Sequence, residues 1–254
     1  LFNRLKHQVN EKSLWPTEIF YLEKIAEQNN RYRKFDDALQ QLEPNVKESP
    51  GGLRDIQTIA WVANRHFASL GQTNVGLSAL MDHEFLTAEE FQTLFDGETF
   101  LWRIRCALHF LADRHEDRLA FDHQKAVADM LGYQGDTPNA PVEKLMKDYY
   151  RTVRELSCLN EMLLGLFDEA IIQAGKDLVV QPINRRFQLT NNALDVTTDS
   201  VFKRLPHAML ELFLILQQHP DVNHITARTI RLLLANKHRI DEGVRNDLRA
   251  QSLF

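Results

Sequence analysis

Residues 139–175 read NAPVEKLMKDYYRTVRELSCLNEMLLGLFDEAIIQAG. Val142, Met146, Tyr149, Val153, Leu156, Asn160, Leu163, Phe167 and Ala170 follow one another in alternating steps of four and three, all apolar but Asn160. That spacing puts them on one stripe of a helix. Asn139-Ala140-Pro141 is a start signal and Gly175 a stop signal. Such a helix would be roughly 50 Å long, long enough to be the backbone of a bundle. Asn160 is the one polar residue in the seam, and a buried, hydrogen-bonded amide there would fix the register of packing.

The flanks repeat the pattern. Thr87-Ala88-Glu89-Glu90 has the spacing of a capping box. The helix after it carries Leu94, Leu101 and Leu108, with Ile104 and Leu111 offset by three, which is the seam of helices packed at shallow angles. Asp122 is expected to cap a further helix that stops at Gly132. Leu53, Ile56, Ile59, Ala60, Ala63 and Phe67 mark another. Near the start, Leu1, Phe2, Leu5 and Val9 begin one helical pattern. Trp15-Pro16-Thr17 opens a second, with a stripe at Ile19, Leu22, Ile25 and Ala26. Past residue 182 the period changes. Phe187-Gln188-Leu189-Thr190 and Ala193-Leu194-Asp195-Val196 alternate around Asn191-Asn192, the signature of a β-hairpin. Helices resume over Pro206–Gln218 and over Thr226–His238, with Thr226 as cap, and a short one passes through Val244 and Leu248. The fold class expected is mainly α: a helical bundle with a short N-terminal extended strand and one β-hairpin, followed by a smaller helical unit.

Composition narrows the function. The 254 residues are 44% hydrophobic and 26% charged, which suits a soluble globular chain. A net charge of -5 gives no general pull toward nucleic acid or an anionic membrane, and neither partner is expected. No apolar run approaches the length that spans a bilayer. Cys106 and Cys158 lie within helical patterns without metal spacing, so they read as two small buried hydrophobes in a reducing cytoplasm. With no initiator Met and an end inside a pattern at Ser252-Leu253-Phe254, the chain is expected to be a piece of a longer protein.

Complete catalytic signatures are missing. Nucleotidyl transfer needs a Gly-Ser turn and an Asp-x-Asp pair to hold two metal ions, and the chain has neither. It has no His-Asp dipeptide and no glycine-rich nucleotide-binding pattern. His115-Glu116-Asp117 with Asp122-His123 fits no ligand template and reads as a solvated loop. Arg228, Arg231, Lys237, His238 and Arg239 read as the solvated face of an amphipathic helix.

One stretch stands apart: Leu42-Glu43-Pro44-Asn45-Val46-Lys47-Glu48-Ser49-Pro50-Gly51-Gly52-Leu53-Arg54-Asp55-Ile56. It is an extended segment, a tight glycine turn and a helix N-terminus, bracketed by Lys47 and Arg54. Two glycines let a backbone pass close to a neighbouring element or to a phosphate, and the residues alone leave both open.

That stretch, through Gln57, resembles the segment following the catalytic core in the PII uridylyltransferase/uridylyl-removing enzymes. The resemblance continues through Trp61–Phe67, Leu101–His109, Asp117–Asp122, Met146–Tyr150 and Leu166–Ala170. It implies a parent with a nucleotidyltransferase domain, this helical region, an HD hydrolase domain and two ligand-sensing domains. Such a parent uridylylates the PII signalling protein when glutamine is low and removes UMP when glutamine is high, using UTP and Mg²⁺ in the cytoplasm. The implied division is 1–52 as the tail of the nucleotidyltransferase domain, 53–180 as the bundle, and 181–254 as hairpin and lead-in to the HD domain. The chain itself would hold neither active site and bind no cofactor. The related glutamine synthetase adenylyltransferases share a glycine-glycine-x-Arg-Asp element, usually followed by an acidic residue where Gln57 stands here. A non-catalytic helical interaction module is the third alternative.

The resemblance further implies that Lys47, Gly51, Gly52, Arg54 and Asp55 face the nucleotidyltransferase site. Lys47 or Arg54 would then neutralise phosphate charge, and Asp55 would orient Arg54 or cap the helix. The competing expectation is a structural Arg54–Asp55 ion pair with glycines that only turn the chain.

Overall fold

The fold is taken from a computed structural model, which describes residues 15–34, 42–72, 76–220, 222 and 224–251. The helix expected over Leu1–Val9 lies outside them. The chain divides into two compact units between Leu163 and Leu164, and the hairpin lies inside the second.

In the first unit, α1 spans Thr17–Lys34, α2 Leu53–Ser69, α3 Ala79–Asp82, α4 Ala88–Ala112 and α5 Phe121–Met130. The long α6 runs Ala140–Phe167 and crosses the division. α1 packs on α2, α2 on α4, and α4 on α5. The seams are where their periods put them. Leu94, Leu101, Ile104 and Leu108 of α4 are buried, as are Tyr149, Val153, Leu156, Leu163 and Phe167 of α6. Val142 and Met146 are only partly buried, and Leu145 takes the inner position at that end. The Thr87 box forms in full: Glu90 N–H donates to the Thr87 hydroxyl, and the Glu90 carboxylate accepts from Thr87 N–H at 2.8 Å. α5 stops before Gly132, whose φ of +83° is the left-handed conformation glycine adopts freely.

Several expectations change. α6 does not reach Gly175 as a regular helix; at Asp168–Ile172 it loosens into one π turn. The stripe expected on α1 is not its buried face. Ile19 and Leu22 are exposed, while Tyr21, Gln28 and Arg31 turn inward. Apolar spacing misled there because what α1 meets inside is a carboxylate. Cys106 is exposed and Cys158 partly so, and neither is a core residue. The 42–47 segment forms a single bridge, Asn45 to Arg118, rather than a strand. Val46 N–H donates to the Asp117 carbonyl and Leu119 N–H to the Pro44 carbonyl, both at 2.8 Å. This pairing also caps α5. Its Phe121 N–H is taken by the Glu43 carboxylate at 2.8 Å, a remote cap in place of the expected Asp122.

In the second unit, β1 (Val180–Pro182), β2 (Phe187–Thr190), β3 (Ala193–Val196) and β4 (His224–Ile225) form a small sheet in that order. β2 and β3 are the expected hairpin, with Thr190 opposite Ala193 and both Asn191 and Asn192 at positive φ, as a two-residue turn requires. β1 pairs antiparallel on one side, and β4 pairs parallel on the other. Between β3 and β4 come α7 (Val201–Arg204) and α8 (Ala208–Gln218); after β4 comes α9 (Ala227–Asn236), then short α10 (Glu242–Arg245) and α11 (Leu248–Gln251). Phe187, Leu194, Val196, Phe202, Met209 and Leu212 form the core. Thr226 caps α9 by accepting Thr229 N–H. Arg228 is not simply solvated, because it bonds Asp195 and Asp199.

The glycines give a graded test. Gly132 has open space where a Cβ would go, so Gly132→Ala should cost only the left-handed strain, about 1–2 kcal/mol. Gly51, at φ +74°, has its Cβ position filled by the Val153 carbonyl. Gly51→Ala should lose a further 1–3 kcal/mol or so to overpacking. Urea denaturation of the two variants checks the order; equal losses would mean the turn does not press on α6.

Candidate functional site

The five residues singled out in the sequence fall into a buried half and a half-exposed half. Asp55, in the first turn of α2, is 1% exposed. Its Oδ1 accepts from Arg31 of α1 at 2.5 Å, and its Oδ2 accepts the Tyr32 hydroxyl at 2.6 Å and Gly51 N–H at 2.7 Å. Burial holds the carboxyl above its ordinary range, and Arg31, Tyr32 and Gly51 oppose that rise in part by bonding the ionised form. Asp55 therefore neither pairs with nor orients Arg54. Nor does it cap α2, whose N-cap Gly52 has no side-chain cap hydrogen bond; it closes the glycine turn from inside by taking the N–H of Gly51.

Gly51 is needed because the turn lies against the α6 backbone at Val153, and Gly52 because a Cβ there would come within 2.8 Å of the Ser49 and Lys47 carbonyls. The donors at the start of α2 are already used. Gly52 N–H goes to the Ser49 carbonyl at 2.8 Å, Leu53 N–H to Val46 at 3.2 Å, and Arg54 N–H to Lys47 at 2.9 Å. An anion at this turn would meet side chains rather than the helix backbone.

Lys47 and Arg54 are the half-exposed part. Arg54 lies 3.3 Å from Glu48 Oε1, and Lys47 Nζ lies 3.6 Å from the same oxygen. Arg31 reaches Glu48 as well, donating to its carbonyl at 2.8 Å. Glu48 is thus the residue that sequence reasoning missed. It lies inside the quoted stretch, yet only the folded turn shows three cations gathered on it. Arg31, Lys47 and Arg54 face Glu48 and Asp55 at the turn, and Lys47 also faces Asp117 at 3.8 Å. The Arg54 guanidinium also lies over the Trp61 ring at 5.6 Å, whose other neighbour is Lys24 Nζ at 4.7 Å.

Asp117 forms the opposite wall, and the loop around it is not merely solvated. Its carboxylate takes Arg105 Nε at 2.6 Å, lies 3.4 Å from His109 Nε2, and stands 3.8 Å from Lys47 Nζ. Among the described residues no group of three His, Cys, Asp or Glu side chains is placed to hold a metal ion.

Asp117 makes the region acid-sensitive. Burial alone would raise its pKa, but Arg105, His109 and Lys47 together hold the carboxyl below the usual range. A depressed carboxylate stabilises the fold above its unfolded pKa of about 3.9 and loses that contribution as pH falls through the folded value. Asp117→Asn should therefore lower the urea midpoint at pH 7, with the gap from the parent closing as pH falls below the ordinary carboxylate range. A gap that stays constant would mean the charge plays no part.

With this geometry in place, comparison with known proteins is direct. Residues 19–164 match the family described as GlnD PII-uridylyltransferase, and residues 187–254 match the Uridylyltransferase GlnD third domain. The whole chain aligns at 46% identity with a bifunctional uridylyltransferase/uridylyl-removing enzyme of Nitrosococcus oceani, and at 44% with those of Pseudomonas aeruginosa and Pseudomonas fluorescens. The chain spans 28% of the length of each of these relatives. No solved structure gives a significant match. Over both of its units, the chain belongs to the GlnD PII-uridylyltransferase family.

Proposed function

We propose that this chain is the central segment of a cytoplasmic enzyme that uridylylates and deuridylylates the PII signalling protein in response to glutamine, controlling nitrogen assimilation. The observation that carries the reading is the alignment of all 254 residues with enzymes named for both reactions. Both matching family models carry a uridylyltransferase description, which favours this reading over the adenylyltransferase. Among the described residues no helix is long and apolar enough to cross a membrane.

Within that enzyme the glycine turn is a prop for the nucleotidyltransferase site. Lys47 and Arg54 are its phosphate-facing cations. Their ion pairs with Glu48, at 3.3–3.6 Å, are loose enough to be exchanged for a phosphate oxygen. Gly51, Gly52 and Asp55 act through them by fixing the turn against α1 and α6. UTP and Mg²⁺ are the nucleotide and the metal that this reading assigns to the parent enzyme. What this segment supplies is positive charge at fixed points.

Lys47→Ala and Arg54→Ala in the full-length parent test this. Each should reduce uridylylation about tenfold or more, the effect of losing roughly 1.4 kcal/mol of charge stabilisation. UMP removal should stay unchanged, and the melting temperature should fall only slightly, since both side chains are partly exposed and their ion pairs are long. A fall in both activities together with stability would make the stretch scaffold only.

A further inference from the structure

The second unit holds a cavity of about 490 Å³ that the proposed role of the turn leaves unused. The end of α6 and its π turn, the segment before β1, the β2–β3 turn, β4 and the first turns of α9 form its walls. That size falls within the range of small-ligand sites. Three cationic side chains line it, Lys176, Arg228 and Arg231, against two carboxylates, Asp195 and Glu169.

The carboxylates are not equivalent. Asp195 is saturated: its Oδ1 accepts the Thr226 and Thr229 hydroxyls at 2.8 Å each, and its Oδ2 accepts Arg228 at 3.0 Å. Glu169 is 44% exposed, and its Oε1 stands 3.8 Å from His224 Nε2, beyond hydrogen-bond length. It can swing outward at little cost.

The cavity wall also carries two buried polar atoms without a hydrogen-bond partner, His224 Nε2 and Thr190 Oγ1. Buried donors are nearly always paired, so two orphans on one wall ask for an acceptor that the protein does not provide. Gly165 makes room for the imidazole: a Cβ there would stand 2.8 Å from His224 Cδ2. Leu166 and Leu178 add an apolar side.

We infer that this cavity binds a nucleotide-sized ligand through a phosphate group. Its oxygens take Lys176 and Arg231 as cations and the His224 and Thr190 donors as hydrogen-bond partners, displacing the Glu169 carboxylate. The non-phosphate part lies on Leu166 and Leu178. The site is separate from the glycine turn and does not depend on the role proposed for it.

Calorimetric titration of the full 254-residue chain with UMP, inorganic phosphate and uridine tests this. UMP should bind once per chain, phosphate should compete with it, and uridine should bind at least about tenfold more weakly. Lys176→Glu should weaken UMP about tenfold or more, and Glu169→Gln should strengthen it. Both side chains are exposed, so the melting temperature should not move. The inference is overturned if millimolar UMP gives no heat, if uridine equals UMP, or if Lys176→Glu leaves affinity unchanged. It is equally overturned if Lys47→Ala abolishes binding, which would place the ligand at the turn.

Discussion

The first unit is organised around a buried ion pair between Arg31 and Asp55, with side chains 9% and 1% exposed. A carboxylate that deep is costly unless every oxygen is bonded. Asp55 meets that condition with partners from separate places: the guanidinium and a hydroxyl from α1, and a backbone N–H from the glycine turn. α6 joins through Val153, which fills the space beside Gly51, and through Asn160, whose amide reaches the Tyr32 hydroxyl at 3.5 Å. One carboxylate thereby fixes three helices and the turn relative to each other.

That constraint explains how the turn presents charge. The peptide donors at the start of α2 are consumed by the turn's own carbonyls, so its helix end is closed to ligands. The charge left on the surface sits on Lys47 and Arg54, which share Glu48 and can move without disturbing what lies beneath. A rigid base carrying partly exposed cations is what the proposed phosphate-facing role requires, because pre-organised charge loses little freedom on engagement.

Much of the fold was legible in the sequence because it rests on local rules. The seams of α4 and α6 follow from period, the Thr87 box from spacing, and the hairpin from two asparagines that tolerate left-handed backbone. What escaped was long-range and polar. No periodicity marks Arg31 as the residue that reaches Asp55, 24 positions on, so spacing alone predicts for α1 an apolar inner face that it lacks. The cap on α5 comes from Glu43, 78 positions before Phe121, and local capping rules cannot see it. The glycine pair was legible as a close approach, but the sequence left open whether a phosphate or a helix was approached. Val153 shows that Gly51 meets a helix. The four-stranded sheet exceeds the expected hairpin because β1 and β4 are three and two residues long, too short to carry a pattern.

The central claim is that the Arg31–Asp55 pair, and not the surrounding apolar contacts alone, holds the turn in place. A double-mutant cycle with Arg31→Met, Asp55→Ala and the double variant, read by urea denaturation at pH 7, measures it directly. Each single change should cost about 3–5 kcal/mol by stranding a buried charge, and the double should cost clearly less than their sum, with a coupling above about 1 kcal/mol. Additivity to within about 0.5 kcal/mol would contradict the account, since the two side chains would then be stabilised independently.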